Sequence, residues 1–194
     1  MTEPKALATG TAAPSRRRTE ILDTAERLAR RGGYHGFSFR DVATEVGVKS
    51  ASVHYHFPTK ADLTTALAER YSERFMASLG PAQEKGAVLR LIGGYRTALQ
   101  VEDQMCLCGL FGAERDTLPD PLRVAVGRFF AAQVDWATEA LAPEADRTGA
   151  ETLVAGLEGA VLVARAIGDV EMFDRIAQRM LAAARGGGIA QPTG

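Results

Sequence analysis

Between Ser38 and Lys60 the chain reads SFRDVATEVGVKSASVHYHFPTK, a stretch dense in side chains that can form hydrogen bonds or carry charge. Lys49, Ser50 and Ser52 can reach base edges or phosphates. His54, Tyr55 and His56 follow within the next turn, and Ser38, Arg40 and Lys60 add a hydroxyl and two cations around them. Such groups recognise a ligand through hydrogen bonds and charge, and phosphate contacts are the commonest use of that set. Bond-making chemistry has much less support. The three histidines (His35, His54, His56) all lie in the first third, far in sequence from Cys106 and Cys108, and Cys-x-Cys without a nearby His is a poor zinc pattern. No phosphate-cradling glycine loop or catalytic motif is present. The expectation is a non-enzyme with no metal and no cofactor.

The elements that must position these groups follow from spacing. Ser38 is a good N-cap, and Phe39, Val42, Ala43 and Val46 then share one face at helical periodicity. Gly47 suits the left-handed residue that ends a helix. A second helix is predicted from about 50 to 57, where Pro58 withholds a backbone donor. A short helix pair with a Gly-containing turn and a polar second helix is a helix-turn-helix, whose second helix enters the DNA major groove. Neighbouring residues on a helix point about 100° apart, so His54, Tyr55 and His56 cannot all face the groove. Val53 and Phe57 should face inward.

The remaining segments also read as helices. One is predicted over 16–31, with Ile21, Ala25, Leu28 and Ala29 as its buried stripe, and another from a Thr59 cap to Leu79. Further helices are predicted over 84–101, 106–115, from Pro121 to Leu141, and over 149–167 and 170–185. Strand signals are nearly absent. The fold class is therefore all-α: a disordered arm (1–15), a helix-turn-helix unit (16–60), a helical effector-binding and dimerisation unit (61–185) and a tail (186–194).

Charge agrees with this division. The net charge is −1, yet residues 1–60 hold ten Lys/Arg against six Asp/Glu, and residues 61–194 hold thirteen against eighteen. A basic end on a mildly acidic body suits a protein that meets phosphates at one end. No apolar run approaches the roughly 18 residues of a membrane span, and the first fifteen residues lack the hydrophobic core of a signal peptide. Two cysteines separated by one residue exclude a disulfide scaffold, so a reducing cytoplasm is the expected setting. On a helix they point about 200° apart and cannot bridge each other. They read either as small buried hydrophobes or as sensor thiols.

From Thr19 to Leu67 the chain resembles the tetracycline-repressor (TetR) family of bacterial transcription regulators. The resemblance rests on ILDTAERL, Gly36-Phe37, FRDVATEVGV and HYHFPTKADL. It implies that Ser38, Arg40, Lys49, Ser50, Ser52, His54, Tyr55, His56 and Lys60 form the DNA-binding set. Three positions depart from the family pattern: Lys49 stands where Ser or Thr often caps the recognition helix, His54 where Tyr is common, and Ala51 where Gly is frequent. The segment MCLCGL resembles a short cysteine-bearing helix of one subgroup, some members of which sense electrophiles or short acyl compounds.

A helical body of this kind holds ligands between facing helices. The candidate lining is Tyr71, Tyr95, Leu99, Cys106, Leu110, Phe111, Phe129, Gln133 and Trp136, with Arg96, Glu114 and Arg128 as polar anchors. Leu153, Leu157, Val161, Phe173, Ile176 and Met180 recur at helical spacing in the last two helices and are expected to form a dimer seam. The expected function is a homodimeric repressor of palindromic double-stranded operator DNA, released by an unidentified small molecule or electrophile. The alternative is a helical protein-interaction module with non-specific nucleic-acid binding. The Phe57-Pro58-x-Lys60 junction favours the first.

Overall fold

The computed structural model describes residues 12–100 and 105–185, which form nine α-helices, a short 3-10 turn and no strand. Helix α1 (Ala12–Gly32) starts four residues before the predicted helix and takes in Pro14, which the first turn tolerates. The expected arm therefore keeps only residues 1–11, which lie outside the described residues, as does the expected tail at 186–194.

Local signals explain most of the other boundaries. Helix α2 (Phe39–Val46) opens on a capping box in which Ser38 Oγ accepts from Asp41 N and Asp41 accepts from Ser38 N. It closes on Gly47, whose φ of 73° places it in the left-handed region. Helix α3 (Ser50–His56) follows, then α4 (Lys60–Leu79) on a second capping box made by Thr59 and Asp62. Helix α5 (Ala87–Gln100) begins three residues later than predicted, after a turn in which Gly86 has φ 82°. Helix α6 (Leu107–Ala113) is followed by the 3-10 turn Arg115–Thr117, and α7 (Asp120–Leu141) carries Pro121 in its first turn. Helix α8 (Arg147–Ile167) starts at Asp146, whose side chain accepts from Gly149 N, and ends at Gly168; α9 (Val170–Arg185) completes the chain.

Two apolar clusters form the core. The first joins Ile21, Val42, Val53, Leu63 and Leu67 to Leu107, Phe111, Leu122 and Phe129. The helix-turn-helix end thus shares its core with α6 and the first half of α7, although α4 and α5 separate the two in sequence. The second cluster gathers Leu91, Tyr95, Leu99, Leu153, Leu157, Val161 and Phe173. Phe75 and Phe130 pack against both.

This second cluster takes up much of the stripe expected to form a dimer seam. Leu153, Leu157, Val161 and Phe173 are buried within the protomer's own core, and Ile176 and Met180 are partly buried against it. Periodicity identifies an apolar stripe but not which neighbour covers it, and here that stripe is used on α5 and α7. The outward apolar residues of α8 are Leu162, Val163 and Ile167, 57%, 41% and 65% exposed.

Candidate DNA interface and effector cavity

Burial of Val53 and Phe57 sets the roll of α3 and turns Lys49, Ser50, His54 and Tyr55 outward, with Ser52 and His56 half-buried. Tyr55 is 81% exposed, its ring touching that of His56 edge-on at 5.2 Å. Lys49 sits at the N-cap, where an ammonium with no acceptor cannot cap the first turn, and its side chain is exposed. Arg40 is exposed on α2.

Three members of the expected DNA set are already engaged inside the protomer. The Ser38 hydroxyl is used in the capping box. The His54 ring lies 4.5 Å from that of Phe39, with Nδ1 3.3 Å from Pro58 O, so it leans back towards α2. Lys60 Nζ donates to Phe37 O and stands 4.8 Å and 4.6 Å from the ring centres of Tyr34 and Phe37. Partial burial pushes its pKa down. Instead of extending freely towards a phosphate, Lys60 fastens α4 to the α1–α2 connection. Arg18, which the sequence reading did not single out, lies 4.9 Å from the Phe57 ring centre and adds a cation at the same edge.

The end of α6 is tied directly to this unit. Glu114 accepts from Tyr34 N at 2.6 Å, close against Gly33, where an added Cβ would fall 2.4 Å from the carboxylate. His35 Nε2 lies 3.0 Å from Thr117 Oγ1, and Arg30 Nε donates to Met105 O at 3.0 Å. A second tie runs from α1 to α4, where the nearly buried Glu26 accepts from Arg70 at 2.9 Å and from Arg74 at 2.6 Å. Movement of α4 or α6 would therefore be passed to the helices that carry the recognition helix.

The body holds a cavity of about 430 Å3, within the range of small-molecule sites. Met105, Gly109, Leu110 and Ala113 form one wall, Phe130 and Val134 of α7 a second, and Glu151, Val154, Ala155, Glu158, Gly159 and Leu162 of α8 the third. Of the expected lining residues, only Leu110 is here. Tyr71, Tyr95 and Phe129 instead join Phe75 in a packed aromatic cluster, with ring centres 5.5–5.7 Å apart from Tyr71 to Phe129 and from Phe75 to Tyr95. Leu99 is core as well.

Other expected residues also lie elsewhere. Phe111 lines a separate, wider cleft of about 720 Å3 beside Arg115 and Arg123. Gln133 is buried and accepts from Tyr95 Oη at 2.9 Å. Trp136 Nε1 donates to Gly80 O at 2.8 Å and pins α7 to the α4–α5 turn. None of the suggested polar anchors enters the cavity: Arg96 pairs with Asp174, Glu114 holds Tyr34, and Arg128 is exposed. The polar side chains that do line it are Glu151, at its edge, and Glu158. A lone carboxylate within the apolar run LVAGLEGAVLVA was the available signal.

Both cysteines are buried. Cys106 caps α6, its sulfur accepting from Gly109 N at 3.3 Å. Burial first, and then the charge of Glu158, push the Cys106 thiol far up. Cys108 is raised in the same way by burial and by Cys106. A thiol held protonated is a poor nucleophile. Among the described residues no cluster of His, Cys, Asp and Glu is placed to hold a metal ion, and no helix is long and apolar enough to cross a membrane.

A helix pair with an outward, hydrogen-bonding second helix, fused to a helical body with an apolar cavity, defines a helix-turn-helix DNA-binding transcription regulator. Residues 21–67 match the model for bacterial regulatory proteins of the tetR family. A TetR-family transcriptional regulator from Agrobacterium tumefaciens is 30% identical, with 87% of this chain and 97% of that one covered at a TM-score of 0.81. A TetR transcriptional regulator from Legionella pneumophila is 26% identical over 92% and 98% of the two chains, at 0.77. A TetR-family regulator from Streptomyces coelicolor shares the fold at 22% identity, with 89% and 96% covered and a TM-score of 0.78. No curated protein matches the chain. The chain belongs to the TetR family.

Proposed function

We propose that this regulator is a repressor that binds a pseudo-palindromic operator as a homodimer and leaves it when a small molecule fills the cavity between α6, α7 and α8. One observation carries the reading: the short helix α6 both walls the cavity and, through Glu114, holds the connection between α1 and α2. A ligand that favours one setting of α6 then favours one placement of the recognition helix. Coupling of about 1–3 kcal/mol would change operator affinity roughly 5- to 150-fold.

The same outward face supports pairing. Leu162, Val163 and Ile167 would meet their symmetry mates, giving two recognition helices one two-fold axis and a spacing of roughly 34 Å for successive major grooves. Thiol modification is not part of the reading, because both cysteines are buried and protonated.

The test is a fluorescence-anisotropy titration of duplexes tiling the DNA upstream of the protein's own gene, with sedimentation of wild type and Leu162→Glu alongside. The expected result is tight binding to a palindromic duplex by a dimer, and loss of both pairing and operator binding in the variant. Wild-type monomers that bind all duplexes alike would favour the non-specific interaction module instead.

A further inference from the structure

The walls of the cavity carry two carboxylates and no basic side chain. Glu151, at the exposed edge, is neutralised from outside by Arg147 at 3.2 Å. Glu158 is different: both its carboxylate oxygens are buried and neither has a hydrogen-bond partner. The polar groups beside it are committed elsewhere. Tyr95 gives its O–H to Gln133, and the Cys106 sulfur receives Gly109 N–H, leaving only the weak S–H donor on that side. A buried charge without a partner is strongly unfavourable, so this carboxylate favours any ligand that brings it a donor or a positive charge.

The backbone has made room for that carboxylate. An added Cβ at Gly109 would fall 1.9 Å from Glu158 Oε1, so the missing side chain on α6 is what lets Glu158 reach across from α8. The rest of the wall, including Leu110, Phe130, Val134 and Leu162, is hydrocarbon. Such a site holds an apolar body and rewards a single donor or positive charge.

We propose that the effector is an apolar molecule bearing one protonated amino group, whose N–H donors are received by Glu158 while its hydrocarbon fills the space between α6, α7 and α8. This rests on the effector-cavity reading above and names the chemical class that site takes. An anionic ligand would meet two carboxylates. A neutral alcohol offers one hydrogen bond but leaves the charge uncompensated. Binding would tighten α8 against Gly109, on the helix that ends at the Glu114 contact with Tyr34.

The experiment compares three isosteric probes, n-hexylammonium, 1-hexanol and hexanoate, by calorimetric titration of the full chain. The pH is set well above the value of about 7 to which burial pushes the Glu158 carboxyl, so that it is ionised. The wild type is expected to bind hexylammonium about ten-fold or more tighter than hexanol, and hexanoate least well. Glu158→Gln should bring the amine-to-alcohol ratio close to one with hexanol binding unchanged. The order of the three probes on wild type tests the proposal even if that variant does not fold. Hexanol or hexanoate binding as tightly as the amine would overturn the cationic class while leaving the cavity reading standing. An amine preference that survives Glu158→Gln would overturn the role of Glu158. Binding of none of the three would sink both the class and the cavity reading.

Discussion

Replacing Glu158 with Gln should make the protein more stable, by an amount that depends on pH. Burial pushes the Glu158 carboxyl up from its ordinary 4.5 to about 7. Between those two values the folded protein keeps a proton that the unfolded chain has lost. Stability therefore falls as pH rises through this window, and the loss is complete above the folded value. At about 1.4 kcal/mol for each unit of pKa, the difference amounts to roughly 3 kcal/mol. Gln fills nearly the same space and does not titrate. The two proteins should match near pH 4.5 and diverge until the variant leads by about 3 kcal/mol near pH 8. Urea unfolding at fixed protein concentration, repeated across that range, measures this directly, and subtracting one profile from the other cancels the remaining titrating groups. Parallel profiles, or a less stable variant at the alkaline end, would refute the claim that Glu158 is a buried, uncompensated carboxylate.

Three further outcomes are expected. Tyr55→Ala should weaken operator binding while changing stability by no more than about 0.5 kcal/mol, because the ring is 81% exposed; unchanged anisotropy titrations would remove Tyr55 from the interface. Lys60→Ala should lower affinity for every duplex and also cost about 1 kcal/mol of stability, since its ammonium is bound to Phe37 O and two rings; an unaltered urea midpoint would refute the clamp. Iodoacetamide should leave Cys106 and Cys108 unmodified in the folded protein and label both in urea, by intact-mass analysis; rapid labelling of the native state would restore a thiol-sensing mechanism.

Much of this architecture is legible in sequence because the signals that set it are local. Ser38 and Thr59 each sit three residues before an Asp, Gly47 and Gly168 end helices in the left-handed conformation, and Val53 and Phe57 lie one turn apart. Each is decided within a turn or two of the helix concerned. The recognition helix and the all-helical class follow from the same short-range rules. What a side chain meets across the fold is another matter. Leu157 and Val161 form a stripe that suits a dimer seam as well as a core, and only the packing of α5, α7 and α9 around α8 settles that they are core. Tyr71, Tyr95 and Phe129 are large enough to line a pocket, yet they fill one another's space, and the cavity opens instead beside Gly109 and Gly159. Lys60 is a cation at the expected place, but its direction depends on a carbonyl 23 residues away. Glu158 stands out in the sequence as one charge among apolar neighbours. That it is buried, unpaired and faces a cavity depends on a glycine 49 positions earlier, through a contact that no local rule encodes.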